Sequence, residues 1–293
     1  MRTVIAATSL AVVMACSSDS TGPDLTPVPP APAHVYVADL SGAILVFAAP
    51  LTSASVPIDT IPNGGPLGIA VDDSGNIAVS ATTKKVYLYH KPLSSSSAPA
   101  DSVPSSPYFG FPAYGPDGKL YVATQGTHVL VYSPPIASAS VADTIKNSLV
   151  DAYSVGFDRQ RRLYVDDPAG GGVRVYESPY TGPPAFSVDS GMGATQGMAL
   201  DASGRLLVAN YSFDKIYIYA APLSGASEPV DSITSGLHSP EAIAIGGDGY
   251  LYVANESDSA IVVYHPPFSH ASTPAVNLRG HGLVTPWGLA VGK

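Results

Sequence analysis

A repeated unit of about 43 residues dominates the sequence. A turn residue recurs at spacings of 43 to 45 residues, at Gly75, Gly118, Arg161, Gly204 and Gly249. An aromatic residue recurs in step with it, at Phe47, Tyr89, Tyr132, Tyr176, Tyr219 and Tyr264. Such regularity is typical of a repeat architecture, in which one supersecondary unit is used many times.

Each copy of the unit reads as four short β-strands. In the copy at 239–267, apolar runs at 242–245, 251–254 and 261–264 are separated by turn residues. A more polar fourth strand follows, and in most copies an aspartate opens it. We expect these aspartates to be solvated charges at the sheet edge, where they deter strand addition; they are Asp59, Asp101, Asp143, Asp189 and Asp231.

This module predicts an all-β fold, a six-bladed β-propeller with four-stranded blades. Residues 287–291 have the character of a first strand, but the chain stops soon afterwards. Residues 35–39 look like a second strand with no first strand before them. We therefore expect the C-terminal strand to pair with the N-terminal blade, which closes the ring and removes an open sheet edge. The propeller then spans residues 34–293.

The N-terminus predicts export. Residues 1–15 combine a positive start with an apolar stretch too short to span a bilayer, as in a lipoprotein-type signal peptide. The run Val13-Met14-Ala15-Cys16 resembles the lipobox of bacterial lipoproteins, which implies a lipid anchor on Cys16; an ordinary cleaved signal is the alternative. Ser17 after the cysteine then suggests outer-membrane retention. Residues 16–33 would be the anchor cysteine and a proline-rich tether.

The expected location is therefore outside the cytoplasm, as an outer-membrane lipoprotein or in the periplasm or at the cell surface. Membrane contact is expected through the anchor only. A formal net charge of −9 and the lack of lysine or arginine runs argue against nucleic acid as a partner.

The repeat resembles NHL-repeat propellers and the related bacterial repeats with a YVAN or YVTN signature. Residues 66–76 (PLGIAVDDSGN), 197–201 and 251–255 carry the match, and the resemblance covers residues 34–293. The pattern fails at Pro112, which interrupts a first strand, and at 157–162, where FDRQRR replaces a glycine turn. We expect those two blades to be the least regular. The resemblance implies a fold but no single activity, because such propellers host hydrolases, lyases and scaffolds.

In a propeller the starts of the first strands and the ends of the second strands meet at one mouth of the central channel. The strand starts are Leu67, Gly110, Tyr153, Gln196, Glu241 and Trp287, and the strand ends are Asp39, Ala81, Thr124, Asp167, Asn210 and Asn255. The candidate ligand-binding residues are accordingly Glu241, Gln196, Tyr153, Trp287, Asn210, Asn255, Asp167 and Asp39.

Two interpretations of this mouth remain open. Glu241 resembles the acidic ligand of gluconolactonase and paraoxonase-like propellers, and Asn210, Asn255 and Asp167 would complete an oxygen shell for Ca²⁺. Calcium could then polarise a lactone or ester carbonyl. Alternatively the Asp and Asn residues cap turns, and Tyr153 and Trp287 fill the channel.

The favoured function is a non-enzymatic binding or interaction scaffold without catalytic residues or cofactor. Its partner would be an envelope protein, a peptide or a carbohydrate, since a rigid ring with variable loops suits recognition. The alternative is a calcium-dependent lactonase or esterase-like hydrolase with its site at the channel mouth. A third possibility is a purely structural surface protein without a specific ligand.

Overall fold

The computed structural model describes residues 34–105 and 110–293, and almost all regular structure in them is β-strand. The predicted signal peptide, Cys16 and the tether lie outside the described residues. No helix within the described ranges has the length and apolar character needed to cross a bilayer.

The strands are short and follow one another in the repeating order that the sequence predicts. Their bounds are β1 (His34–Asp39), β2 (Ala43–Ala48), β3 (Asp59–Pro62), β4 (Pro66–Val71), β5 (Ile77–Ala81), β6 (Lys85–Tyr89), β7 (Asp101–Pro104), β8 (Pro112–Tyr114), β9 (Leu120–Ala123), β10 (Val129–Tyr132), β11 (Asp143–Ile145), β12 (Ser154–Phe157), β13 (Leu163–Asp167), β14 (Gly172–Tyr176), β15 (Phe186–Val188), β16 (Thr195–Leu200), β17 (Leu206–Asn210), β18 (Lys215–Tyr219), β19 (Pro229–Ile233), β20 (Pro240–Ile245), β21 (Leu251–Asn255), β22 (Ala260–Tyr264), β23 (Val276–Arg279) and β24 (Pro286–Gly292). Single turns of 3₁₀ helix lie at Pro168–Gly170, Tyr211–Phe213 and Glu256–Asp258.

These strands form six four-stranded antiparallel sheets, which we number as blades in chain order. Blade 1 has the order β24-β1-β2-β3, and each later blade uses four consecutive strands, from β4–β7 for blade 2 to β20–β23 for blade 6. In blade 1, Val37 pairs with Leu289 and Val35 with Val291. The six-bladed propeller and its closure by the C-terminal strand are therefore confirmed.

The inner strands of the blades are largely buried on both faces, which explains their nearly continuous apolar runs. In β1, for example, Tyr36 and Ala38 pack towards blade 2, whereas Val35 and Val37 pack towards blade 6. The same two-sided packing joins blade 2 to blade 3 and blade 5 to blade 6. Each blade is therefore stabilised mainly by its two neighbours.

The recurring tyrosine that ends the third strand also ties neighbouring blades together. In blades 3, 5 and 6 its hydroxyl donates to a backbone carbonyl at the end of the previous blade, at 2.6 Å from Tyr132 to Pro104, from Tyr219 to Ser190 and from Tyr264 to Ser235. In blade 2 the Tyr89 hydroxyl instead accepts from the side-chain amide of Asn63 at 2.8 Å. Blade 1 has Phe47 at this position and lacks the hydroxyl. A buried tyrosine usually finds such a partner, which explains the recurrence of this residue.

Three of the five outer-strand aspartates, Asp59, Asp101 and Asp231, do more than the sequence suggested. The carboxylates of Asp59 and Asp101 each accept a backbone N–H from the loop of the next blade, at 3.0 Å from Ser95 and 2.9 Å from Ser138. Bonds from the backbone N–H groups of Ser102 and Ser138 hold the pKa of Asp101 below its usual value. Asp231 binds blade 6 in the same way. These half-buried residues therefore link blades and are not simply solvated edge charges.

The two blades expected to be irregular do have the shortest inner strands. Strand β8 has three residues, because Pro112 opens it, and β12 has four, whereas the other inner strands have six or seven. In the turn of blade 4, Arg161 adopts a φ of 65°, the left-handed region that glycine occupies in the equivalent turns.

Glycines near the start of the inner strands allow adjacent blades to approach closely around the axis. A Cβ added at Gly197 would lie 2.6 Å from the carbonyl oxygen of Glu241 in the next blade. The same addition at Gly288 would lie 2.1 Å from the carbonyl oxygen of Leu67. Because the obstacles are backbone atoms, no side-chain rearrangement can make room.

We expect Gly197→Val to destabilise the protein by about 3 kcal/mol or more, since it forces two inner strands apart. Gly182→Val is the matched control, because Gly182 is exposed and a Cβ there meets nothing within 4 Å. Thermal denaturation followed by circular dichroism measures both. Equal melting temperatures for the two variants would contradict the close approach of the blades.

Candidate functional site

Four inner strands, β4, β16, β20 and β24, begin with a bulge at the predicted mouth of the channel. Thr195 pairs with Asn210 and Gly197 with Ala209, so that Gln196 is an extra residue. Glu241 and Trp287 are extra residues at the equivalent places in β20 and β24. A bulge removes a residue from the ladder and re-aims its side chain, which is why bulges often lie beside functional sites.

The side chains at these bulges converge on Tyr153, which precedes β12. The Tyr153 hydroxyl donates to Oε1 of Gln196 at 2.6 Å. Burial raises the pKa of Tyr153, the charge of Glu241 raises it further, and the adjacent indole N–H of Trp287 opposes the shift. We call Tyr153, Gln196, Glu241 and Trp287 the mouth cluster; its members come from blades 4, 5, 6 and 1. The structure thus brings together four of the predicted site residues.

Two polar atoms of the mouth cluster lack a hydrogen-bond partner. They are Oε2 of Glu241 and Nε1 of Trp287; the indole N–H lies beside the Tyr153 hydroxyl without forming a hydrogen bond. Glu241 is only 4% exposed, and burial raises its pKa to about 8, with a further contribution from the charge of Glu256. A buried polar atom without a partner costs about 1 to 3 kcal/mol, so such atoms call for an explanation.

A second buried carboxyl lies beside the cluster. Asp166 is fully buried, Thr195 donates to its Oδ1 at 2.7 Å, and its Oδ2 has no partner. Burial raises the pKa of Asp166 to about 7. The hydrogen bond from Thr195 opposes this shift, and the charges of Asp167 and Asp151 reinforce it. Sequence reasoning missed Asp166, although a signal was present: it occupies the position of an alanine in other blades, namely Ala38, Ala123, Ala209 and Ala254.

Phe111 is the second residue that sequence reasoning missed. Its ring lies 5.5 Å from that of Tyr153, and both belong to a buried apolar cluster against which Trp287 packs. The repeat alignment placed Gly110 at the mouth instead. A Cβ at Gly110 would meet the carbonyl of Ala123 in its own blade, so the neighbouring Phe111 supplies the ring.

The predicted residues at the ends of the second strands hold loops. The carboxylate of Asp39 accepts the backbone N–H of Val284 at 2.8 Å, and that of Asp167 accepts the N–H of Asp151 at 2.6 Å. The other contacts of this kind run from His238 N–H to Asn255 Oδ1 (2.7 Å) and from Phe213 N–H to Asn210 Oδ1 (3.1 Å). All four side chains are fully buried. This geometry is what the turn-capping interpretation predicts.

The same contacts bear on the calcium hypothesis. Ca²⁺ takes 6 to 8 oxygen ligands, yet Asp167, Asn210 and Asn255 already accept backbone N–H groups. Only Glu241, among the four candidates, keeps an oxygen with no partner. Within the described ranges, no group of three or more His, Cys, Asp or Glu residues is arranged to hold a metal ion. The present donor set therefore fits calcium poorly, and the calcium site stays a prediction.

The opposite face of the ring, which carries the turns between first and second strands, has two depressions that the sequence did not indicate. Their volumes are about 530 and 770 Å³, and both are lined by Phe157 of blade 4. The larger one is also lined by Leu200, Ile245 and Phe268. We call the face with these depressions the turn face, and the face with the mouth cluster the mouth face. Sequence reasoning missed the depressions because side chains of several blades shape them.

No protein-family model matches this sequence, and no curated protein matches it. Solved structures do resemble the fold. A protein of unknown function from Bacteroides caccae has a TM-score of 0.67 at 13% identity, covering 89% of this chain and 99% of its own. A chain of the nidogen/laminin complex has a TM-score of 0.66 at 13% identity, covering 89% and 98%. The periplasmic gluconolactonase of Pseudomonas aeruginosa has a TM-score of 0.59 at 15% identity, covering 84% and 82%. At these identities the likeness establishes the β-propeller fold alone.

The raised pKa of Glu241 predicts a pH-dependent penalty on folding. The folded protein holds the Glu241 proton up to about pH 8, whereas the ordinary value is 4.5. The contribution of Glu241 to the free energy of unfolding is therefore fully present below pH 4.5 and is lost as the pH rises towards 8. We therefore expect the free energy of unfolding of Glu241→Gln, relative to that of the wild type, to increase by about 1 kcal/mol per pH unit between pH 5 and 8.

Denaturant titrations at several pH values measure this difference. Glu228→Gln, the same change at an exposed glutamate, is the matched control. A difference between Glu241→Gln and wild type that stays constant from pH 5 to 8 would contradict the pKa assigned to Glu241.

Proposed function

We propose that this protein is an exported β-propeller that acts as a non-enzymatic binding scaffold, with its ligand contacts at the mouth cluster. The observation that carries the proposal is the pair of partnerless polar atoms, Glu241 Oε2 and Trp287 Nε1. Four blades contribute to the cluster, so its geometry is held by the whole ring. Sites of this kind, apolar with a few convergent polar groups, are typical of ligand binding.

The proposal includes the repeat type and the anchor. We assign the blades to the NHL or YVTN type because motifs such as Leu251–Asn255 recur at equivalent positions. We assign the lipid anchor to Cys16 because the preceding residues resemble a lipobox. The described chain begins at His34, which pairs with Gly292 on the turn face.

The anchor is tested by the variant Cys16→Ser. We expect it to move the protein from the membrane fraction to the soluble periplasmic fraction, because a thioether-linked lipid needs the cysteine sulfur. Fractionation and immunoblotting measure the distribution, and metabolic labelling with a fatty acid tests the modification itself. Equal membrane retention of wild type and Cys16→Ser would contradict lipid anchoring.

Ligand binding at the mouth cluster is tested by thermal shift with solubilised envelope material. We expect the material to raise the melting temperature of the wild type, since a ligand that binds only the folded state stabilises it. Trp287→Ala and Glu241→Leu should lose that shift. Phe213→Ala should keep it, because Phe213 is 64% exposed and lies outside the cluster on the same face.

The alternative function is calcium-dependent hydrolysis of a lactone or ester at Glu241. The unpartnered carboxyl oxygen of Glu241 favours it, as does the shared fold with a periplasmic gluconolactonase. Calorimetry with Ca²⁺ separates the two functions. A stoichiometric calcium site that Glu241→Gln abolishes, together with calcium-dependent lactone hydrolysis, would overturn the non-enzymatic proposal.

A further inference from the structure

We propose that the mouth cluster binds a neutral, hydroxyl-rich molecule, a saccharide, through Glu241, Trp287 and Gln196. This inference rests on the proposed function, because it names the ligand class of the same site. It follows from the hydrogen-bonding inventory of the cluster and from the charges and rings that surround it.

The available groups form a mixed set of donors and acceptors. The indole N–H of Trp287 can only donate, and Oε2 of Glu241 offers an acceptor; neither has a partner. Oε1 of Gln196 already accepts from Tyr153, which fixes the amide orientation and leaves its NH₂ group as the outward donor. A ligand that satisfies this set must both donate and accept within a small volume.

Charged ligands fit this set poorly. An ammonium or guanidinium group only donates, so it would leave the N–H of Trp287 and the NH₂ of Gln196 facing other donors. An anion only accepts, so it offers no hydrogen to the acceptor oxygen of Glu241, and it would lie within electrostatic reach of the Glu256 carboxylate. A hydroxyl group has one donor and two acceptor lone pairs, so it can accept from Trp287 while donating to Glu241.

The aromatic residues around these polar atoms favour a ligand whose ring presents both C–H groups and hydroxyls. Phe111 and Tyr153 form a tilted aromatic pair with centroids 5.5 Å apart, and Trp287 packs against the same apolar cluster. A saccharide ring carries C–H groups on its faces and hydroxyls at its edge, which matches apolar walls with a few polar groups. Glu241 is 4% and Gln196 8% exposed, whereas Trp287 is half-buried. Trp287 is therefore the most exposed of the three.

The chain offers a direct reporter for this inference, because Trp287 is its only tryptophan. The experiment titrates the purified protein with glucose, galactose and N-acetylglucosamine at millimolar concentrations and follows tryptophan fluorescence. We expect at least one sugar to change the emission saturably. Glu241→Leu should weaken the apparent affinity about tenfold or more, the effect of losing one well-placed hydrogen bond. Phe213→Ala should match the wild type.

Calorimetry with the same sugars gives a second readout in Trp287→Phe, which keeps an aromatic ring but removes the N–H donor. We expect this variant also to bind the sugar about tenfold more weakly. Trp287→Phe therefore still tests the inference if Glu241→Leu does not fold. Sugar binding that neither substitution weakens would overturn the assignment to the mouth cluster.

Parallel titrations with ethylammonium chloride, sodium acetate and calcium chloride separate this inference from the proposed function. A saturable, Glu241-dependent response to one of these and to no sugar would overturn the saccharide class while leaving binding at the mouth cluster intact. A thermal shift with envelope material that depends on the cluster, but with no response to any sugar, would have the same meaning. Failure of every probe and of the envelope material would overturn both.

Discussion

The pairing of β1 with β24 is the constraint on which the rest of the structure depends. Each blade buries both faces against its neighbours, so an open row of blades would expose an apolar face at each end as well as unpaired strand edges. The pairing of Val37 with Leu289 joins the two ends of the chain within one sheet. The mouth cluster also depends on this closure, because Trp287 lies on β24 while Glu241 and Gln196 lie on the two preceding blades.

Much of the fold was predictable because one unit is repeated. The spacing of Gly75, Gly118 and Gly204 sets the module length, and the apolar runs set the strand number. The alignment of the repeats also predicted that Tyr153, Glu241 and their equivalents would lie at one mouth. Alignment can place these residues because equivalent positions of successive repeats are arranged around one common axis.

What the sequence could not reveal is the local geometry of the strand ends and loops. The bulges at Gln196, Glu241 and Trp287 change no residue count that alignment would detect, yet they turn three side chains out of their ladders. Phe111 enters the cluster because Gly110 beside it has no room for a side chain. Hydrogen-bond partners are also invisible to alignment, since they depend on loops of different blades.

The mouth face contains two kinds of buried polar residue, and the distinction between them organises the site. Asp39 and Asp167 have their oxygens occupied by backbone N–H groups, so their burial is compensated. Glu241 Oε2, Trp287 Nε1, Asp166 Oδ2 and Asn210 Nδ2 are buried atoms without a hydrogen-bond partner. Natural proteins keep few such atoms, so each of them calls for an explanation.

The adjacency of His34 and Gly292 in one sheet has a further consequence for the architecture. The two ends of the propeller are covalently separate but spatially contiguous, so the ring has no privileged first blade. A gene in which the order of the repeats is circularly permuted would encode the same six sheets, with the chain termini in a different blade. Circular permutation is therefore a route by which such rings can diversify while their central axis stays the same.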